Sequence, residues 1–368
     1  MTQRERQILR WIEENPMISQ QELADRAGIT RSSMGVHISN MMKKGYISGK
    51  GYILPAATYA AVVGGVNMDV GGRPAAPLRA ADSNPGRVRT SLGGVGRNIA
   101  HNMALLGVDT RMITVLGDDL YAQRIAASCA ELGIDLSKAL RVPGEATSTY
   151  LYVADERGDM ALAVSDMEIY RLLTPAVLTA RLAWINTAQL LVLDTNIPAE
   201  SIEWLCTHVQ VPIFADPVSA AKAEKLRPVL GRLHTLKPNR LEAELLSGVK
   251  IRDEQSVHRA ADKLLESGLH RVFLSLGADG VLAADREKRL RLPAVKDGIV
   301  NTTGSGDAFM AALVWAWLRG TDLAGSVRAG MAASAIAMAS AETVNPAMSA
   351  KALSDQIEKM EAFQEDNT

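Results

Sequence analysis

The sequence predicts an α/β domain, a mostly parallel sheet covered by helices on both faces, preceded by a small α+β module. Three observations predict it. From Tyr59 onward, short apolar runs alternate with helical patterns, and strands buried on both faces read as such runs. Residues 1–54 have a different rhythm, with three short amphipathic helical stretches and then an alternating Tyr/Ile/Leu segment. The 368 residues suffice for one large domain and a small one, at roughly 150 residues per domain. The boundary is placed between residues 55 and 56, giving domains 1–55 and 56–368.

In chain order, residues 3–14 carry Ile8, Leu9, Trp11 and Ile12 on one stripe, and Asn15-Pro16 ends it. Ser19 caps a short helix with Glu22 at the capping-box position, and Gly28 makes the next turn. Thr30 caps a third helix, 31–44, with Met34, Ile38, Met41 and Met42 inward, closed by Gly45. Residues 46–54 alternate around a glycine-containing turn, as a hairpin does. Helix, helix, Gly turn, helix, hairpin resembles the winged helix-turn-helix family over its whole length. The resemblance implies a third helix in the DNA major groove. It presents Arg31, Ser32, Ser33, His37 and Asn40, with Lys43, Lys44 and Lys50 for phosphates. Eight basic against five acidic residues in 1–54 give +3, while the whole chain carries −1. A module used for dimerisation or docking accounts for the same pattern.

In the body, strands are expected at 60–66, 111–116, 190–194, 213–215, 234–236 and 272–276, with helices such as 98–106, 121–132 and 256–266 between them. Ligand sites in such sheets lie at the C-terminal ends of strands. Those ends read Gly64-Gly65-Val66-Asn67-Met68-Asp69, Asp194-Thr195-Asn196, Asp216-Pro217, Lys237-Pro238-Asn239 and Ser275-Leu276-Gly277-Ala278-Asp279-Gly280. Each alone is ordinary turn chemistry; their recurrence is the informative point. Residues 70–92 and 147–166 fit the sheet poorly and read as β-hairpins outside it. A lid that excludes water explains them, as does a dimer contact or surface decoration.

The charge balance excludes a nucleic-acid coat or a membrane-surface protein for the chain as a whole. Cys129 and Cys206 lack metal-site spacing, so neither a zinc site nor a disulfide framework is indicated. Residues 1–10 lack the apolar core of a signal peptide. No apolar run reaches the roughly 20 residues that span a bilayer, and a cytoplasmic location is expected.

Asn301-Thr302-Thr303-Gly304-Ser305-Gly306-Asp307 precedes an apolar helix, 308–318. A helix N-terminus holds anions through its unpaired N–H groups, and glycines let a ligand come close. An acid beside a bound anion repels it, so Asp307 reads either as a general base or as a helix cap. Gly93-Gly94-Val95-Gly96-Arg97-Asn98 opens another helix, where the Asn98 amide suits sugar hydroxyls; Asn67 and Asp69 suit the same task. For Asp69 a turn-capping role is the alternative.

At these residues the chain resembles the ribokinase-like (PfkB) carbohydrate and nucleoside kinases, over about residues 58–350. Gly93-Gly94-x-Gly96-x-Asn98 resembles that family's N-terminal signature, Asn239-Arg240-Leu241-Glu242 its Asn-x-x-Glu motif, and Thr302–Asp307 its C-terminal signature. The resemblance implies a three-layer α/β/α sandwich with a small β lid, using ATP and Mg²⁺. By that resemblance Asp307 is the base and the amides of Gly304, Ser305 and Gly306 stabilise the transferred phosphoryl group. Asn239 and Glu242 organise Mg²⁺. Ser275, Gly277 and Gly280 line the ATP site, and Asn345 borders adenine. Asn67, Asp69, Gly93, Gly94 and Asn98 hold the sugar. Asn301 stands where many members carry an Asp beside a monovalent cation, which weakens the case for K⁺.

Within that family, 147–150, 165–168 and 343–346 look most like pseudouridine kinases, with Thr149 and Asp166 toward the base or ribose. Phosphorylation of pseudouridine at its 5′-hydroxyl is the leading expectation. Another nucleoside, a free sugar such as ribose or fructose, or a ligand-sensing transcriptional regulator are the rivals. A homodimer through the lid is expected as well.

Overall fold

A computed structural model describes residues 1–49, 58–295 and 298–365. It divides into two compact units, Met1–Thr58 and Tyr59–Thr368.

In the first unit, helices Gln3–Glu14, Gln20–Ala27 and Arg31–Lys43 form around Ile8, Ile12, Leu23, Met34, Ile38 and Met41, all buried. Two capping boxes, Thr2 with Glu5 and Ser19 with Glu22, start the first two helices, and Thr30 caps the third. Gly28 ends the second helix in the left-handed region, φ +63°, where a Cβ is costly. Met42, expected inward, is 42% exposed. Most of the hairpin read at 46–54, with Lys50, lies outside the described residues.

The second unit contains fourteen strands among its described residues: β1 Ala60–Val63, β2 Asn67–Pro74, β3 Gly86–Gly93, β4 Thr110–Ile113, β5 Val115–Leu116, β6 Leu140–Arg141, β7 Thr149–Ala154, β8 Met160–Asp166, β9 Leu190–Asp194, β10 Ile213–Asp216, β11 Thr235–Leu236, β12 Arg271–Ser275, β13 Val281–Asp285 and β14 Arg289–Leu292. Eight form one sheet in the order β14-β13-β12-β11-β10-β9-β1-β4. Pairing is parallel from β4 to β12 and antiparallel from β12 to β14.

Three expectations about strands are corrected. The run 60–66 stops at Val63, because Gly64 and Gly65 leave the ladder to approach Asp194. The run 111–116 splits, and β5 pairs with β6 in a separate two-stranded sheet. The antiparallel edge β13–β14 has no counterpart among the expected strands, since Gly277–Gly280 reads as a terminus although it is a tight reversal. The two lid segments, expected as separate hairpins, join through a parallel β2–β7 pairing into one sheet, β3-β2-β7-β8.

The helix Ser305–Trp317 is buried almost all round, packed against Leu323–Met338 and Val95–Leu105. Small residues permit the approach: a Cβ on Gly330 would lie 2.5 Å from the Phe309 ring. The core thereby fixes the helix whose N-terminus carries Asp307.

Candidate functional site

The ends of β1, β9, β10, β11 and β12 bring Gly64, Asp194, Asp216, Lys237 and Ser275 to one edge of the sheet. Asp194 is fully buried and accepts from the amides of Gly65 (2.8 Å), Gly96 (2.7 Å) and Asn196 (2.8 Å). Burial pushes its pKa up against those bonds. A Cβ on Gly64 or Gly96 would lie 2.6 or 2.9 Å from its carboxylate oxygen. The acid therefore staples the loop after β1 to the start of the helix Val95–Leu105. Sequence reading had marked it only as a turn; the signal was an otherwise apolar strand ending in an acid.

Gly94 begins that helix at φ +98°, where a Cβ would strike the Gly65 carbonyl and Val66. Asn67 donates its side-chain amide to Asp69. Burial pushes Asp69 up to about 6, opposed by Asn67 and Arg97. Gly93 leaves room for the Asp69 carboxylate, which a Cβ there would overlap. Asn98 donates to Asp307 Oδ2 at 2.9 Å, across 209 residues of sequence.

Asp307 is buried, and its pKa rises to about 8. Burial is the main cause and Asp216 adds to it, while Asn98 and Lys237 pull the other way. Lys237 is buried and pairs with Asp216 at 3.2 Å. Burial opposes its charge, but Asp216, Glu242 and Asp307 outweigh that and hold its pKa raised. A Cβ on Gly306 would come within 3.1 Å of Lys237 Nζ, so this glycine leaves the cation open to a ligand at the helix start. Lys237 and Asp216 were noted in sequence only as turn residues; nothing local marks either as a partner of Asp307.

Gly304 caps the helix at φ +80°, with no space for a Cβ against the Thr343 carbonyl. The Ser305 amide already bonds Thr302 at 3.3 Å, so the open amides of the first turn are those of Gly306 and Asp307. The Asn301 side chain is spent on the Thr303 amide and the Ala341 carbonyl.

A cleft of about 650 Å³ ends at this helix start, lined by Lys237, Asn239, Ser275, Gly277, Gly280, Ser305 and Gly306 among polar and small residues, and by Phe309, Met331 and Met338 among apolar ones. An apolar wall with a polar end suits a base attached to phosphates. Asn239 and Glu242 form a reciprocal capping box, with Asn239 also donating to Glu242 Oε1 at 2.8 Å. Among the described residues no three His, Cys, Asp or Glu side chains gather as a metal site. The Asn239 amide and the Glu242 carboxylate, bonded to each other, are oxygen donors of the kind that a divalent ion carrying phosphate and water ligands takes.

Three expected contacts are not assembled. Asn345 does not line the cleft; its amide bonds Ile336 and Ala347 backbone groups instead. Thr149 pairs across from Met68 and Asp166, one register position from Asp69 and Tyr150. Because side chains alternate between sheet faces, Thr149 and Asp166 lie on the face opposite Asp69. Tyr150 and Tyr152 share the Asp69 face.

In the first unit, Lys44 is not a free phosphate ligand. It bonds the buried Glu5 carboxylate at 2.7 Å and holds it well below the usual range, at about 2. The Ser32 and Ser33 hydroxyls contact the Thr30 hydroxyl. Arg31, Asn40 and Lys43 are exposed and His37 is half-buried. Val36, 61% exposed opposite the buried stripe, was missed in sequence.

Residues 57–350 match the pfkB family of carbohydrate kinases, and residues 1–48 match a winged helix-turn-helix DNA-binding family. The uncharacterised sugar kinase YeiI of Escherichia coli K12 is 38% identical over 352 residues, covering 95% of this chain and 97% of that one. The pseudouridine kinase of the same organism is 40% identical over 307 residues, 83% of this chain and 98% of its own. Among solved structures, a carbohydrate kinase from Agrobacterium tumefaciens superposes with a TM-score of 0.74 at 27% identity, covering 82% of this chain and 97% of that one. The Arabidopsis thaliana ribokinase, solved with ribose and ATP, shares the fold with a TM-score of 0.73 at 22% identity over 82% of this chain and 99% of its own. With its family signatures brought to one edge of a ribokinase-like sheet, this chain belongs to the pfkB family of carbohydrate kinases.

Proposed function

We propose that this kinase transfers the γ-phosphoryl group of ATP to the 5′-hydroxyl of a nucleoside, pseudouridine foremost. One observation carries the reading: a buried acid at a helix N-terminus bonded to the side-chain amide of Asn98, in the first turn of the helix Val95–Leu105. That contact supports a position for the acid between an acceptor hydroxyl and a phosphate. Charged Asp307 takes the hydroxyl proton as the oxygen attacks phosphorus in line and the bond to ADP breaks. Lys237 and the open amides of Gly306 and Asp307 stabilise charge on the moving group. Mg²⁺, held through water by Asn239 and Glu242, would neutralise phosphate charge. Asn67, Asp69 and Gly94 orient the ribose. Identity with a pseudouridine kinase supports the choice of base. The test is a panel of pseudouridine, uridine, inosine, cytidine and ribose with ATP and Mg²⁺. Pseudouridine should give the highest kcat/KM, and Asp307→Asn should reduce turnover by roughly 10³-fold or more. A preference for ribose overturns the nucleoside assignment; near-normal turnover in Asp307→Asn overturns the base.

A second role is carried by the exposed Arg31, Asn40 and Lys43 on the third helix. We infer that residues 1–55 bind DNA, so that the kinase acts on genes tied to its own substrate. Neutralising Arg31 and Lys43 should remove salt-sensitive DNA affinity; unchanged retardation of promoter fragments counts against it. We also infer a homodimer, joined by the aliphatic face of the lid. A cytoplasmic setting agrees with two buried free cysteines.

A further inference from the structure

Arg97 is 5% exposed. A buried guanidinium is costly unless it is hydrogen-bonded. One of its terminal nitrogens, Nη1, donates to the Leu92 carbonyl at 3.2 Å and to Asn98 Oδ1 at 3.4 Å. The other, Nη2, donates to Ser128 Oγ at 3.2 Å, on the helix Leu120–Leu132. Leu92 is the penultimate residue of lid strand β3. The Arg97 backbone amide bonds the Gly65 carbonyl at 3.1 Å, which fixes the start of the arginine side chain against the loop after β1.

An Asn amide has a donor end and an acceptor end of nearly the same shape, and its hydrogen-bond partners decide which way it faces. Asn98 has a cation on one side and a carboxylate on the other. With the oxygen toward Arg97 and the nitrogen toward Asp307, both contacts are attractive. The flipped amide would set N–H against a guanidinium and oxygen against a carboxylate. We propose that Arg97 is a positioning residue for phosphoryl transfer: its guanidinium locks the Asn98 amide toward Asp307 and ties that lock to the end of lid strand β3. The proposal rests on Asp307 being the base. It adds that the base is oriented through two residues adjacent in sequence, and that lid position reaches it through the Leu92 carbonyl.

The test uses the full chain. Side-chain amide ¹H–¹⁵N spectra are recorded from pH 5.5 to 9.5 for the unmodified protein, Arg97→Met, Arg97→Lys and Asp307→Asn; the Asn98 pair is assigned by its loss in Asn98→Ala. Groups that act on Asp307 besides Asn98 are Asp216, Lys237 and Asp194, all unchanged in the arginine variants. The Asn98 pair should follow the titration of Asp307 in the unmodified protein and lose that titration in Asp307→Asn. Arg97→Met should move the midpoint upward and narrow the separation of the two amide protons, with Arg97→Lys between. An Asn98 pair that titrates in Arg97→Met as in the unmodified protein overturns the proposal.

Turnover with pseudouridine, ATP and Mg²⁺ gives a second reading. Arg97→Met should lower kcat about tenfold or more while leaving KM for ATP within about twofold, and add less than about twofold in the Asn98→Ala background, because residues acting through one contact are not additive. Full additivity overturns the proposal and leaves the base intact. If instead Asp307→Asn keeps its turnover, the base assignment fails, whatever the arginine variants do. Arg97→Lys, which keeps the charge, serves where Arg97→Met does not fold: Asn98 spectra and kcat both unchanged in it would overturn the proposal.

Discussion

Asp307 sits where its charged form is least comfortable, buried and near Asp216, with Asn98 and Lys237 as partial compensation. Such a group is a strong base once ionised, at the cost of being protonated at neutral pH. In the free enzyme, kcat/KM should rise through a limb near pH 8. Stability should run the other way. The folded state holds this proton up to about pH 8, whereas an unfolded Asp, at 3.8, releases it earlier. The contribution is therefore present below about pH 4 and is lost as pH rises toward 8. Asp307→Asn has no such proton. Its melting temperature relative to the unmodified protein should increase from pH 5 to pH 9, by a few degrees or more, about 1–2 °C per kcal/mol for a unit of this size. Equal melting curves across that range would mean that the charge is not strained.

At the scale of elements, helix ends decide the site. Gly304 adopts φ +80° and has the Thr343 carbonyl against it. Gly304→Ala adds a left-handed penalty of about 1–2 kcal/mol and a clash that displaces the open amides of the first turn. Turnover should fall by about 10²–10³-fold, the usual effect of losing one oxyanion donor, in steady-state assays. In the first unit, the Lys44–Glu5 bond joins the end of the third helix to the start of the first. Lys44 is 45% exposed and Glu5 is buried. Lys44→Met should destabilise the unit by about 1–2 kcal/mol, below the 3–5 of a fully buried pair. Hydrogen exchange over residues 3–44 would read it. Since the folded pKa of Glu5 is depressed, this contribution is present above about pH 4.5 and lost as pH falls toward 2.

Across the whole molecule, the lid has two unlike faces. Val70, Leu151 and Val164 share one row, with Leu162 beside Val153 on the same face, while Asp69 and Tyr150 lie on the other. Val88, Leu151, Leu162 and Val164 are 72%, 41%, 61% and 56% exposed. Exposed apolar side chains sharing one face are where the proposed homodimer would join. Leu162→Lys should convert a dimer of two 39.5 kDa chains into a monomer by light scattering. A monomeric unmodified protein would sink that reading.

Strand runs, helix caps and the three signatures were legible in sequence because each depends on local pattern: burial on both faces, a side chain reaching its own backbone, glycine where a loop must turn. The apolar strand 190–194 and the Ser19–Glu22 cap are cases. Register was not legible. Whether Thr149 or Tyr150 shares the Asp69 face depends on a one-residue offset between strands about 80 residues apart. Long-range pairing was not legible either. Asp194 on Gly65 and Gly96, Lys237 on Asp216, Lys44 on Glu5, Asn98 on Asp307 and Arg97 on Ser128 are satisfied only when packing brings the partners together. The motifs were enough to mark a resemblance to pfkB-type α/β kinases behind a winged helix-turn-helix, and to point to Asp307 as the acid to suspect. The neighbours of that acid came with the fold alone, because desolvation and Coulomb interactions depend on distance in space and not along the chain.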